Sequence, residues 1–311
     1  MAEMTARRVL ALLVAGLLLA ACSGDGPEAE RTTTTRAVAE APSGRGRVGP
    51  FTVLDGAATE RGDLMTGIPI APGSVLIGPT FPDVGDLRGG FEALLLVVGN
   101  PVAVYNHYLD YAAGLGMRAG SGGGCLYGFG STTCARRVID PADGEALSVY
   151  VQRRPVDGGY VSHAALHYEP PGTVDPHDAG PIATPTPTSV PPVVKLPAQV
   201  PAPSADRWST LLAPNGPELA TVEGTQLAGP PGLCPCGPTG WSAVLRVDRP
   251  VDAVIAAYAR ELGVTQPSIR PGRGAGGARV ADLGLVPGGI VQLRTVTDRR
   301  GSWLLVAVSG G

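Results

Sequence analysis

Two stretches of the chain carry the same order of apolar and polar positions. In the first, Ala93 to Val98 is an unbroken β-prone apolar run, and Asn100 and Pro101 then offer a helix start. Val104, Tyr108, Tyr111 and Leu115 follow at steps of 4, 3 and 4, ending at Gly116. In the second, Ser242 to Val247 leads to Asp248 and Pro250, then Val251, Ile255, Tyr258 and Leu262, ending at Gly263. Such spacing places each set of four on one face of a helix. A capping side chain, proline in the first turn and glycine after the last turn mark the ends. An offset of 147 positions superposes the two helices, pairing Val104 with Val251, Tyr108 with Ile255, Tyr111 with Tyr258 and Leu115 with Leu262. Downstream, Ala146 to Arg153 matches Ile290 to Thr297, and Tyr160 to Tyr168 matches Trp303 to Ser309, each pair alternating or strongly β-prone. Upstream, Ala71 to Gly78 parallels Ala213 to Leu219.

Each half therefore predicts two strands, one helix and about three further strands. A lone helix must lie across one face of a mostly antiparallel sheet, which makes the fold class α+β, with two similar domains. Between them Pro and Thr alternate from Thr184 to Thr188, and Pro191, Pro192, Pro197, Pro201 and Pro203 follow. Such a segment builds no core and favours an extended spacer, whose threonines are open to O-linked sugar. The expected boundaries are a leader over 1–21, a tether over 22–65, domain 1 over 66–170, the Pro/Thr-rich linker over 171–204 and domain 2 over 205–311. The tether has no sustained period of either kind, apart from a short candidate strand over Phe51 to Leu54.

The leader is an export signal in its own pattern. Arg7 and Arg8 precede an apolar run from Val9 to Ala21, too short for a permanent membrane helix, and Leu19, Ala20 and Ala21 run directly into Cys22. These residues resemble the bacterial lipobox. The resemblance covers the first 22 residues and implies cleavage before Cys22, a diacylglyceryl thioether on it, and acyl chains such as palmitate holding the protein to a membrane surface. Nothing else in the sequence approaches the roughly 20 apolar residues of a membrane helix. The expected location is extracytoplasmic, anchored by lipid to the cell membrane.

The formal net charge is −3, and removing residues 1–21 leaves 22 basic against 26 acidic side chains. That balance argues against a nucleic-acid partner. Lys195 is the single lysine among 24 basic residues, a bias typical of a high-GC genome. The order of elements is similar to that of tandem-domain lipoproteins of actinobacterial envelopes. This likeness is one of architecture and carries no functional residues across.

With Cys22 lipidated, four cysteines remain, and an exported compartment favours pairing them. Cys125 and Cys134 lie symmetrically about a turn over Gly128 to Ser131, so a hairpin would set them face to face in a disulfide. Cys234 and Cys236 flank Pro235. On an extended strand their β-carbons are out of bonding reach, so a local bond needs a tight turn, which Gly232, Gly237 and Pro238 favour. The alternatives are long-range bonds to the other pair, or a redox or soft-metal site such as Cu(I), for which a third ligand is wanted nearby. His163 and His167 share a strand face but sit about 13 Å apart, too far for one metal, and read as polar side chains on a solvent-facing side. His107 falls at the edge of the helix stripe and His177 in the linker.

Gly272, Gly274 and Gly277 spell G-x-G-x-x-G, but Arg279 to Leu285 reads as a strand where a phosphate loop needs a helix, so this is a loop between strands, as is Gly120 to Gly124. Arg61, Gly62 and Asp63 spell an adhesion tripeptide in the tether, short enough to recur by chance. No catalytic residue, metal site or cofactor is assigned. The expected function is a non-enzymatic binding or interaction module of the cell envelope, recognising an envelope protein or component. A carrier or sensor of a small or lipidic ligand is the alternative, and a thiol- or copper-handling protein using Cys234 and Cys236 is a third reading.

Overall fold

The computed structural model describes residues 47–48, 51–54, 56–59, 64, 67–82, 89–128, 131–156, 159–175, 179–182, 221–233, 240–271, 278–284 and 289–310. All lie within one compact unit, Ala39–Gly311. Among these residues no helix is long and apolar enough to cross a membrane.

Arg47–Val48 (β1) and Phe51–Thr52 (β2) form a short antiparallel ribbon. The first half continues with Ala58–Thr59 (β3), Ser74–Pro82 (β4), Phe91–Val97 (β5), the helix Pro101–Gly114 (α1), Arg118–Ala119 (β6), Gly124–Gly128 (β7), Ser131–Ile139 (β8), Ala146–Val156 (β9) and Gly159–Glu169 (β10). Its strands make one antiparallel sheet in the order β3-β4-β5-β10-β9-β8-β6, with β7 also on β8. The second half holds Thr225–Leu227 (β11), Gly232–Leu233 (β12), Trp241–Val247 (β13), the helix Val251–Glu261 (α2), Ser268–Pro271 (β14), Arg279–Gly284 (β15), Gly289–Asp298 (β16) and Gly301–Gly310 (β17). Its order is β11-β13-β17-β16-β15-β14, with β12 on β13, again antiparallel throughout. The segment β5-β10-β9-β8 thus repeats as β13-β17-β16-β15, and the protein is α+β.

The strands at the centre explain how the sheets are used. β5 is buried along its whole length, and so is the run Trp303 to Val308 of β17. An antiparallel strand with one wet face alternates apolar and polar residues, whereas continuous burial requires cover on both faces. On one face of the first sheet, Val102, Tyr105, Tyr108 and Leu109 of α1 pack against Leu95, Val149, Val151 and Leu166. On one face of the second, Val254, Ile255 and Tyr258 of α2 pack against Leu245, Leu293 and Leu304. The remaining faces pack on each other, where Val75, Ile77, Phe81, Leu94 and Leu96 meet Val244, Trp303 and Leu305. The layers run helix, sheet, sheet, helix. Burying each large side chain in this seam stabilises by roughly 1.5–3 kcal/mol.

Gly78 shows how close the sheets come. It has φ of +71° at a bulge in the pairing of β4 with β5, and a Cβ there would lie 2.7 Å from Val244 Cγ1 and 3.6 Å from Trp303 Cε3. Only glycine satisfies both the backbone and the space. Trp303 in turn spends its polar edge at the rim of the seam, donating from Nε1 to Asp298 Oδ1 at 3.0 Å. Burial disfavours ionisation of Asp298, but bonds from Arg300 and Trp303 outweigh it and hold this carboxyl below its usual range.

The folded body reaches into stretches read as spacers. Val53 and Ala57 are buried in the seam, Leu54 N donates to Ala228 O of the second half at 3.1 Å, and Leu64 joins the core under α1, all short of position 66. Beyond 171, Ile182 packs against that same core, and Gly180 bridges Ala119.

The repeat itself needs a corrected register. Asn100 caps α1 by accepting from Val102 N at 2.9 Å, whereas α2 starts at Pro250 with no side-chain cap, and carries Asp252 in its first turn and Arg260 in its last, complementing the helix dipole. α1 has 14 residues and α2 has 11, so the offset of 147 holds only at their C-terminal ends. From the start of each helix, Tyr108 rather than Tyr111 is the counterpart of Tyr258. Both are fully buried, and each hydroxyl faces the tight turn that opens its half. That turn is Ala71 to Ser74 in the first half, where Ser74 N returns to Ala71 O at 3.1 Å, and Val222 to Thr225 in the second, where Thr225 N returns to Val222 O at 3.0 Å. By this geometry Val222 to Thr225 is a counterpart of Ala71 to Ser74. Residues 213–219 lie outside the described residues.

Candidate functional site

Among the described residues, the buried charged side chains Glu92, Arg154 and Arg294 and the buried His163 lie in the seam between the sheets. Cross-strand register puts His163 of β10 opposite Gln152 and Leu96, and His167 opposite Ser148 and Glu92. The two histidines do share a face, as their spacing requires, but that face is covered by the second sheet instead of by water. His163 is 1% exposed. The reading of a solvent-facing pair fails for His163 because alternation along a strand identifies a face without identifying what packs on it.

Two contacts seal His163. A Cβ on Gly232 of β12 would overlap the imidazole ring, so the backbone of the second half rests directly on it. Arg154, on β9 and also buried, donates from Nη2 to Pro231 O at 3.0 Å, one residue before that contact. Burial first, and the Arg154 guanidinium second, push the His163 pKa down to about 3, so the ring is neutral near neutrality. Burial also draws Arg154 down.

At the other end of the seam, Glu92 is the charged residue in the otherwise apolar β5. Arg294 of β16 donates from Nη1 to Glu92 Oε2 at 2.9 Å, with side chains 7% and 3% exposed. Arg294 Nε donates to Gln292 Oε1 at 2.7 Å, and Gln292 Nε2 donates to Asp282 Oδ1 at 2.9 Å. Asp282 completes the chain by pairing with the exposed Arg270 of β14. A continuous polar path thus runs from the surface of the second sheet to a carboxylate inside the first. Desolvating two charges is costly, and their mutual attraction with added hydrogen bonds offsets that cost only when both are present. The arrangement is suited to fixing one sheet against the other in a single register. Sequence reading did not single out Glu92 or Arg294, although a lone Glu inside Phe-Glu-Ala-Leu-Leu-Leu-Val was a signal that something must meet it.

The other candidates fall elsewhere. Cys125 and Cys134 are joined in a disulfide across β7 and β8. Cys22, Cys234, Cys236, His177, Arg61 to Asp63 and Gly272 to Gly277 lie outside the described residues. His107 is half-buried on α1, and burial lowers its pKa while Asp110 opposes the shift. Asp140, Asp143 and Glu145, in the turn between β8 and β9, bring one donor atom each within 4.8 Å of one another. One oxygen of each aspartate is spent on that turn, accepting from Ala142 N at 2.7 Å and Glu145 N at 2.9 Å.

No known protein family matches the chain, and no curated protein matches it. One solved structure, the crystal structure of bifunctional dehydratase-cyclase domain in ambruticin biosynthesis, aligns over 76% of this chain and 95% of that chain at 15% identity. Its TM-score of 0.16 is too low to support an argument about fold or activity.

Proposed function

We propose that the protein is a membrane-anchored extracytoplasmic lipoprotein that serves as a non-enzymatic binding module of the cell envelope. The anchor rests on the apolar leader running into Leu19-Ala20-Ala21-Cys22. One observation favours a binding role over chemistry in the body of the fold. Glu92, Arg294, Arg154 and His163 are sealed between the sheets and hold them together, which leaves recognition to the outer surfaces. The two-domain organisation, with a Pro/Thr-rich linker over 171–204 joining halves over 66–170 and 205–311, belongs to the same proposal.

A carrier of a small or lipidic ligand would use the space between a helix and its sheet. In the first half, Tyr105, Tyr108, Leu109 and Ala112 occupy that space as buried core, which favours the module. The test is fractionation of cells carrying Cys22→Ala, followed by crosslinking of the wild type in intact cells. Release of the variant, or its retention with the leader uncut, is expected, together with capture of a discrete partner by the wild type. A variant that stays on the membrane at mature size would refute the anchor, and a wild type that captures nothing would count against the module.

A further inference from the structure

The backbone that covers His163 is lightly anchored to its own sheet. It runs from Gly229 through Pro230, Pro231 and Gly232 to Leu233. Its strand β12 pairs with β13 at two positions, Gly232 with Ser242 and Leu233 with Trp241, and Pro230 and Pro231 have no amide N–H to extend that ladder. Across the seam the stretch rests on β9 and β10. There Arg154 Nη2 donates to Pro231 O at 3.0 Å, and a Cβ on Gly232 would lie 2.2 Å from His163 Cδ2. Just upstream, Ala228 is fixed, since its N donates to Val244 O at 2.8 Å and its O accepts from Leu54 N at 3.1 Å. Residues 229–233 can therefore move about Ala228 with the rest of the second sheet in place.

A proton on His163 in this position would set one buried cation against another. Among the described residues, Arg154 of β9 is the charged side chain that acts on the ring. The other groups facing it are neutral: Gln152 opposite on β9, Leu96 opposite on β5, and Pro231 and Gly232 above. On its own strand His167 stands four residues on, about 13 Å away. Glu92, opposite His167, is already paired with Arg294. We propose that residues 229–233 form an acid-released latch: protonation of His163 lifts them from the first sheet, while the Glu92–Arg294 end of the seam stays closed. The proton comes from solvent, and lifting returns both cations to water. The surface set free is the β9–β10 face bearing Gln152, Arg154 and His163, a basic patch in acid that the closed molecule hides. The ring titrates at about 3 when covered and near its ordinary 6.5 when exposed. Acid therefore favours the lifted form by up to about tenfold for each pH unit below the ordinary value, and neutral pH leaves the latch shut.

The test is hydroxyl-radical footprinting of the full chain between pH 7 and pH 4.5, read as oxidation of individual side chains. Pro231, buried in the closed molecule, is the reporter of the latch, and the buried Phe81 and Trp303 report on the seam beyond it. Oxidation of Pro231 should rise by about tenfold or more over this range, while Phe81 and Trp303 stay protected. His163→Gln, which cannot take the charge, should keep Pro231 protected throughout. His163→Phe gives the same readout with a ring in place should the Gln variant fail to fold. Protection of Pro231 in the wild type at pH 4.5, or equal exposure of Pro231 in a folded uncharged variant, overturns the proposal. So does exposure of Phe81 and Trp303 together with Pro231, which would mean that acid opens the whole seam and not one end of it.

Discussion

Arg294 Nη1 donates to Glu92 Oε2 at 2.9 Å across the seam, joining side chains 202 positions apart on different sheets. Neither charge keeps water once the sheets meet. Glu92→Leu or Arg294→Leu alone should therefore lower stability by about 3–5 kcal/mol, while replacing both with leucine should cost much less than the two single losses combined. Denaturant unfolding of the four proteins completes the cycle. Additive single effects would show that the pair does not couple the sheets.

Because Trp303 fills the seam against both halves, the halves should remain together after the chain between them is cut. A protease site engineered within 183–220 and cleaved should leave the two fragments co-eluting as one particle. Trp303→Ala, which removes a fully buried indole at a cost of about 3–5 kcal/mol, should let them separate. Dissociation of the wild-type fragments on cleavage would mean that the seam contributes little.

His163 makes stability depend on pH. Its folded pKa of about 3 lies below the ordinary value of 6.5, so between those values the unfolded chain binds the proton and the folded chain does not. The stabilising contribution is present in full above 6.5 and is lost as pH falls, at up to about 1.4 kcal/mol per pH unit. Arg154 adds to the effect by repelling an imidazolium. His163→Gln should flatten this part of the profile. Depression of Asp298 acts in the same direction but at lower pH, below its ordinary 3.8. Identical slopes for wild type and variant between pH 6 and 4 would rule out a buried neutral His163.

Tyr108 and Tyr258 should respond differently to loss of their hydroxyls. The Tyr108 hydroxyl accepts from Ala71 N at 3.1 Å, and burial, partly offset by that bond, pushes its pKa up to about 12. Tyr108→Phe leaves a buried amide unsatisfied and should cost about 1–3 kcal/mol. The Tyr258 hydroxyl lies near Thr225 and Val222 without a well-aligned hydrogen bond, so Tyr258→Phe should be close to neutral. Thermal denaturation distinguishes them, and equal losses would contradict this account of the two turns.

Much of the local structure was legible in the sequence. Most of the apolar steps along α1 and α2, the capping Asn100, the closing Gly116 and Gly263, and the strands around them follow from period and steric preference, which act between near neighbours, although Leu115, the last step on α1, is the C-cap and 58% exposed. The Cys125–Cys134 bond was legible for the same reason, since a hairpin with symmetric arms brings its own partners together. What packs on the far face of each sheet was decided by tertiary structure alone. Continuous burial of β5 and of Trp303 to Val308 in β17 shows that both faces are covered but does not name the cover, and neither His163 nor Glu92 carries any local mark of Gly232 or Arg294. Those contacts form because two sheets of 8 and 7 strands each leave one apolar face after the helices are placed, and the largest gain in burial comes from closing those faces on each other. The shorter α2 shifts the repeat by one turn for a similar reason, because each tyrosine is placed by the packing it meets in space and not by its distance along the chain.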